Sequence, residues 1–339
     1  MSLSRVGKQS IILKNTPAIV SSACVVGKKE GEGPLKHTFD RIEQDAFFGK
    51  KTWEQAESAM VSETVEGAIK KAHLDNSDLD CLFGGDLLNQ CIGASFGVRK
   101  LNIPFYGVYG ACSTMAESLS LAAVMIDGGY AQNCAAFTSS HFSTAERQYR
   151  FPLEYGSIRP PASQWTVTGC GCLVLANNVE KRHKVCVTGL TTGKIVDLGI
   201  TDANNMGAAM APSAFDTLKA HFDDFSRKPS DYDLIVTGDL GFVGHRIVTD
   251  MFKKTGVHLN NYTDCGLLVF DREKQGVNSG GSGCGCSAVT LAGHILSEMR
   301  KGRYKRVLFA ATGALLSPTS SAQGESIPGI CHAAVLEVL

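Results

Sequence analysis

The chain has 339 residues, more than a single hydrophobic core usually serves, so two core units or an internal duplication are expected. Lysine plus arginine and aspartate plus glutamate both number 33, which leaves no net charge and no basic run able to neutralise several phosphates, and argues against a nucleic-acid partner. Twelve cysteines scattered through apolar segments, with no secretory signal ahead of them, predict reduced thiols in a cytosolic-type compartment rather than a disulfide framework.

In chain order, residues 9 to 26 alternate as two strands, and 27 to 50 form a charged, Gly/Pro-punctuated loop. A helix is predicted from about Thr52 to His73, with Thr52 as N-cap and Gln55 at the capping-box position. The run Asp78 to Gln90 reads as a strand ending in a polar loop, and Ile103 to Val108 as a second strand. This strand turns through Gly110 and Ala111 into a helix that is apolar on nearly every face and is therefore expected inside the protein. The apolar runs end at Glu117 and Asp127, short of the roughly 20 residues of a membrane span, so a soluble or peripheral protein is expected. Thirty-six glycines beside strand-like runs complete the reading of an α/β chain.

The architecture follows from an internal repeat. Asp78-x-Asp80 with Gly85-Asp86-Leu87 recurs as Asp231-x-Asp233 with Gly238-Asp239-Leu240, both pairs 153 residues apart (231 − 78 and 239 − 86). Cys112-Ser113 recurs as Cys286-Ser287, Gly128 as Gly302, Tyr130 as Tyr304 and Thr138 as Thr312, all 174 apart (286 − 112 for the first). Each copy reads strand, helix, strand, loop, buried helix, strand, which predicts mostly parallel pairing, a pseudo-twofold and two central helices. The halves are expected at 1–180 and 181–339, fused into one body, with the seam near Asn178 to His183.

Cys112 at the start of the first buried helix is placed where free N–H groups and the helix dipole lower a thiol's pKa and favour an anion. The same position equally suits a small buried hydrophobe at a tight turn. The stretches Gly169-Cys-Gly-Cys172 and Gly283-Cys-Gly-Cys286 have a ligand spacing tighter than zinc sites use and read as packed small residues instead. The repeat-related Asp86 and Asp239 are expected at equivalent sheet ends, where they could meet across a cleft or merely close their strands in Asx turns. Arg147, Lys194 and Arg246 follow strand-like runs and are either surface charges or carboxylate partners.

A duplicated chain with a cysteine at the tip of its first buried helix resembles the thiolase fold of thiolases and ketoacyl-acyl-carrier-protein synthases, a layered αβαβα body. Within it, Gly85-Asp-Leu-Leu-Asn-Gln90, Gly110-Ala-Cys-Ser-Thr114, Thr138-Ser-Ser-His141, Thr144-Ala-Glu-Arg-Gln148, Asp197-Leu-Gly-Ile-Thr-Asp202, Gly280-Gly-Ser-Gly-Cys284 and Ala311-Thr-Gly-Ala-Leu-Leu-Ser-Pro318 resemble the stage V sporulation protein AD family of endospore-forming bacteria. The resemblance implies a peripheral component of the forespore and spore inner-membrane channel complex. That complex moves dipicolinic acid, largely as its calcium chelate, inward during sporulation and outward at germination. The implied partners are dipicolinic acid and membrane-embedded channel subunits.

Condensing enzymes of this fold pair their cysteine with two histidines, or a histidine and an asparagine, in the second half. Here Gly238 stands where the histidine is expected, with Asp239 beside it, and Cys284 stands for the asparagine. The expected ligand-binding set is therefore Cys112 as a vestigial nucleophile, with Asp86, Asn89, His141, Arg147, Asp239, Cys284 and His332. No resident cofactor is expected, and calcium enters only with the ligand, through Asp86 and Asp239. His141 and His332 are the candidates to restore a base, and the rival reading is an acyl transferase using Cys112. A homodimer is expected through the strand Ile103 to Val108, as is common in this fold.

Overall fold

A computed structural model describes residues 4–149, 159–177, 180 and 182–339, so the expected seam lies partly outside the described residues. In the first half the elements are β1 (Ala18–Val26), α1 (Trp53–Lys71), β2 (Cys81–Gly85), α2 (Ile92–Val98), β3 (Phe105–Gly107), α3 (Thr114–Asp127), β4 (Asn133–Ser140), α4 (Phe142–Tyr149), β5 (Trp165–Thr166) and β6 (Gly169–Ala176). In the second they are β7 (Val185–Thr191), α5 (Met206–Phe225), β8 (Leu234–Thr237), α6 (Gly241–Lys254), β9 (Tyr262–Asp264), β10 (Gly281–Ser282), α7 (Cys284–Val289), β11 (Arg306–Ala314) and β12 (Gly329–Val338). The second buried helix continues from α7 through a π-helical segment, Thr290–Ile295, to Arg300. Thr52 caps α1 by accepting from the Gln55 N–H at 3.3 Å, as its sequence predicts.

The ten long-range strands run β9-β8-β11-β12-β7-β1-β6-β4-β2-β3, a palindrome about the β7–β1 junction in which every strand of one half has its counterpart in the other. Pairing is mixed rather than mostly parallel. The neighbours of β2 and β8 are parallel, whereas β4–β6, β6–β1, β1–β7, β7–β12 and β12–β11 are antiparallel. The reason lies in the last connection of each copy. Between β4 and β6 the chain forms α4 at the sheet's end instead of a crossover helix on its face, so the strand returns reversed.

Alternation within the strands builds the layers. Along β6, Leu173 and Leu175 join the core around the central helices, while Cys170, Cys172 and Val174 join the one beneath α1 and α2. Along β11, Val307, Phe309 and Ala311 face the central layer, and Leu308 and Ala310 face α5 and α6. Both faces of β6 and β11 are buried, which explains apolar runs without polar alternation. The paired cysteines of residues 169 to 172 are thus core side chains. Asp80 and Asp233 do the same work in the two copies. Asp80 accepts the N–H groups of Gln132 and Asn133 beside β4, and Asp233 those of Lys305 and Arg306 at β11. Eight of the fourteen residues of α3 are buried, but one side of the helix is not: Leu121 and Val124 are exposed, and Glu117, Ser120, Met125 and Asp127 are half-buried.

Candidate functional site

The Cys112 turn is built by backbone close approach. Ala111 adopts φ +50, a left-handed conformation that costs a non-glycine residue about 1 kcal/mol or more. Gly313 of β11 backs the turn, where a Cβ would sit 2.5 Å from the Gly110 carbonyl and 3.4 Å from the Cys112 nitrogen. Cys112 thereby faces the second half, next to Leu87, Ala145 and Cys284.

Its charged neighbour is Asp239, whose carboxylate opposes ionisation of the thiol. Asp239 Oδ2 accepts from the Gly283 N–H at 2.9 Å and the Ser282 hydroxyl at 3.2 Å, and Oδ1 from the Thr312 hydroxyl at 2.9 Å. Burial raises the Asp239 carboxyl to about 6. Burial, followed by the charge of Asp239, pushes the Cys112 thiol well above its usual range. The expectation of a helix-activated thiolate is thereby corrected: desolvation and an adjacent carboxylate outweigh the helix dipole's fractional charge.

Asp86 and Asp239 share a motif but not a role. Asp86 Oδ1 accepts from Leu88 N and Oδ2 from Ala94 N, each at 2.7 Å, so its carboxylate closes β2 and caps α2 instead of facing Cys112. Beside it lies Glu57, buried and bonded by the hydroxyls of Ser139 and Thr144 at 2.9 Å, and burial raises both carboxyls. In the second half the capping job falls to Asp264, which accepts from Leu240 N at 2.9 Å and Gly241 N at 3.0 Å and leaves Asp239 free to turn inward. The structure therefore does not bring Asp86 and Asp239 together as one pair of calcium ligands. Among the described residues no group of three or more His, Cys, Asp or Glu side chains is arranged to hold a metal ion.

The other expected residues scatter. Cys284 is adjacent to Cys112 and its thiol donates to the Ser139 carbonyl at 3.0 Å. His141 is buried but turned to the neighbouring cleft: Nδ1 accepts the Ser143 N–H, and Nε2 donates to the Ala46 carbonyl at 2.8 Å. His332 accepts the Gly193 N–H at 3.2 Å, and burial lowers it to about 4. Burial keeps both imidazoles neutral, and neither lines the Cys112 cavity. Arg147 is exposed, paired with Glu54 and stacked over Trp53. Asn89 bonds Gln148 at the rim, Lys194 pairs with Asp216, and Arg246 lies over Phe242.

The cavity above Cys112 has a volume of about 30 Å³, roughly one water molecule's share of liquid volume. Its polar wall is Cys112, Glu146, Thr166 and Ser282, and its apolar wall is Leu87, Ala145, Met206 and Leu316. Larger grooves, such as that of about 890 Å³ between α1 and α2, are open surface without convergent chemistry. Ser282 and Thr166 are register partners of the parallel pair β10–β5. Thr166 donates to Glu146 at 3.5 Å, and Glu146 pairs with Arg159 at 2.6 Å, whose guanidinium stacks on Phe142 and Trp165. The Tyr149 hydroxyl closes the cavity by bonding the Leu87 carbonyl at 2.5 Å and Tyr109 at 2.6 Å. Sequence reasoning passed over Glu146, Arg159, Thr166, Ser282 and Tyr149. A helical reading of 141 to 149 could have found two of them, because Glu146 and Tyr149, three residues apart, share one face and Arg147 lies nearly opposite Tyr149.

Solved structures share this layering at low identity. The 3-oxoacyl-[acyl-carrier-protein] synthase III of Aquifex aeolicus VF5 aligns over 95% of this chain and 99% of its own, with TM-score 0.58 and 13% identity. Xanthomonas campestris OleA aligns over 95% and 96%, with TM-score 0.60 and 14% identity. These likenesses establish the thiolase-like fold. Stage V sporulation protein AD of Bacillus subtilis (strain 168) is 45% identical over 98% of this chain and 97% of its own length. Residues 7–337 match the stage V sporulation protein AD family, and the chain belongs to that family of sporulation proteins.

Proposed function

We propose that the chain is a non-catalytic ligand-binding subunit that takes dipicolinate, free or as its calcium chelate, in the Cys112 cavity. It does so at the forespore and spore inner membrane, alongside membrane-embedded channel subunits, in uptake during sporulation and release at germination. The observation that carries the non-catalytic reading is the neighbour of Cys112. A buried carboxylate beside the thiol opposes its ionisation, Gly238 stands where a condensing enzyme's histidine is expected, and loss of such a partner costs about two to four orders of magnitude in rate. Family membership supplies a place in sporulation, and the ligand is what the resemblance to that family implies. No described helix is long and apolar enough to cross a membrane, which is compatible with peripheral attachment.

Binding requires the cavity to open, since pockets for small molecules usually measure about 300 Å³ or more. Tyr149, Met206 and Leu316 are the side chains that must move. Any calcium carried in with the ligand would meet Asp239 and the Ser282 hydroxyl rather than Asp86. The edge strand β3, with Tyr106 exposed on it and Tyr109 exposed just after it, is the proposed homodimer surface. Calorimetry with dipicolinate, with and without calcium, tests the proposal: saturable heat that Cys112→Trp abolishes supports it, and no heat in either form refutes it. The thiolase-like fold is compatible with one rival, acyl transfer through Cys112. A thioester seen by intact mass after acyl-CoA incubation, turned over and absent in Cys112→Ser, would establish that rival.

A further inference from the structure

Cys81 opens β2 and Cys134 lies one residue inside β4, and these parallel strands pair with the two residues in register. The thiols meet at 3.4 Å, the only thiol-to-thiol hydrogen bond among the described residues. Other cysteines donate to carbonyls instead, Cys24 to Thr38, Cys91 to Val108 and Cys286 to Gly238. Both side chains belong to the central core, with Cys81 at 4% and Cys134 at 0% exposure. The strands begin here, beside the surface loop in which Asp80 holds Gln132 and Asn133, so fraying of two strand ends suffices to admit a small oxidant.

We propose that Cys81 and Cys134 are an oxidative-modification site, at which a hydroperoxide converts the thiol pair into an intrachain disulfide. Adjacent strands hold Cα atoms about 4.8 Å apart, inside the span a disulfide requires, so the sulfurs close on one another by side-chain rotation. In the first step the Cys81 sulfur attacks the peroxide's terminal oxygen. The O–O bond breaks, an alcohol or water leaves, and Cys81 becomes a sulfenic acid. In the second, the Cys134 sulfur attacks the Cys81 sulfur, the S–OH bond breaks, and water departs with the Cys134 proton. The pair loses two electrons and two hydrogens, and the peroxide accepts both. Roles follow from position, since Cys81 opens its strand and retains 4% exposure, where an oxidant arrives first, while Cys134 lies one residue further in and is fully buried; either thiol can be the donor in their hydrogen bond. The bond would tie together the strands that lead to Asp86 and to Ser139, fixing the spacing of the floor beside Cys112.

The test treats the folded full chain with hydrogen peroxide, blocks remaining thiols under denaturing conditions, and maps peptides by mass. The expected product is a Cys81–Cys134 crosslink lighter by about 2 Da and reversed by dithiothreitol. Cys134→Ser should stop at a Cys81 sulfenic acid trapped by dimedone, and Cys81→Ser should leave Cys134 unmodified. A chain that keeps its native circular dichroism while its other thiols oxidise, with no Cys81–Cys134 link, overturns the proposal. So does dimedone capture at Cys134 in preference to Cys81.

Discussion

Replacing Asp239 with asparagine should waken the Cys112 thiol. At an effective dielectric constant of about 20, a carboxylate about 4 Å from a thiolate opposes it by about 4 kcal/mol. Asp239 contributes this charge, while desolvation of Cys112, the larger cause, remains in the variant. Conversion of Cys112 to its methyl disulfide by methyl methanethiosulfonate, with methanesulfinate leaving, should therefore rise by between about 10-fold and 1,000-fold, the upper limit being the full Coulomb term. The sign with pH is fixed, because Asp239 ionises near 6. Below that value its carboxyl is neutral, and wild type and variant should converge; above it they should diverge. The amide also turns one donor toward the Gly283 N–H and the Ser282 and Thr312 hydroxyls, costing about 1–3 kcal/mol of stability, so a melting curve accompanies each rate. Rates followed by intact mass from pH 5 to 9, with Cys112→Ser as background, decide the matter. Equal rates for folded wild type and Asp239→Asn above pH 7 would refute the electrostatic account.

Arg147→Ala should leave dipicolinate affinity within about twofold and unfolding free energy within about 1 kcal/mol, because the residue holds an exposed ion pair away from the cavity; calorimetry and a urea melt check both. Glu30 is wholly buried, and burial raises its carboxyl from 4.5 to about 7. Its native form binds a proton that the unfolded chain releases, so stability declines as pH rises from about 4.5 to 7, by about 3 kcal/mol for a shift of this size. Glu30→Gln, which retains an acceptor for the Thr168 N–H, should flatten that decline in urea unfolding at pH 5 and 8. Gly313→Ala should cost about 1–3 kcal/mol, since its methyl group strikes the Gly110 carbonyl, and should alter the rate of Cys112 modification by shifting the turn; an unchanged melt and rate would contradict the close packing.

The duplication was legible because repeated residues do repeated work, as Asp80 and Asp233 show by each fastening the start of the next strand. Strand direction was not legible. A run buried on both faces, such as Gly169–Ala176, looks the same in either orientation, and only the connection decides it. At the site, the position of Cys112 could be read but its ionisation could not. That depends on a carboxylate of the other half and on Asp264, whose capping of α6 no motif announced. Identical Gly-Asp-Leu triplets hid opposite fates for Asp86 and Asp239 for the same reason. Arg147 was chosen and Glu146 passed over because a cation attracts attention beside an anionic ligand, although helical phase turns Arg147 outward.

The cavity borrows Cys112 and Glu146 from one half and Ser282, with Asp239 behind it, from the other. Occupancy is then a property of the closed pair, and any ligand held there acts as a clamp between them. The ligand's binding energy adds to the free energy of parting the halves, about 2.7 kcal/mol at a concentration a hundred times the dissociation constant. Neither half alone would hold a molecule placed there, and parting the halves at the β7–β1 junction would take the cavity apart.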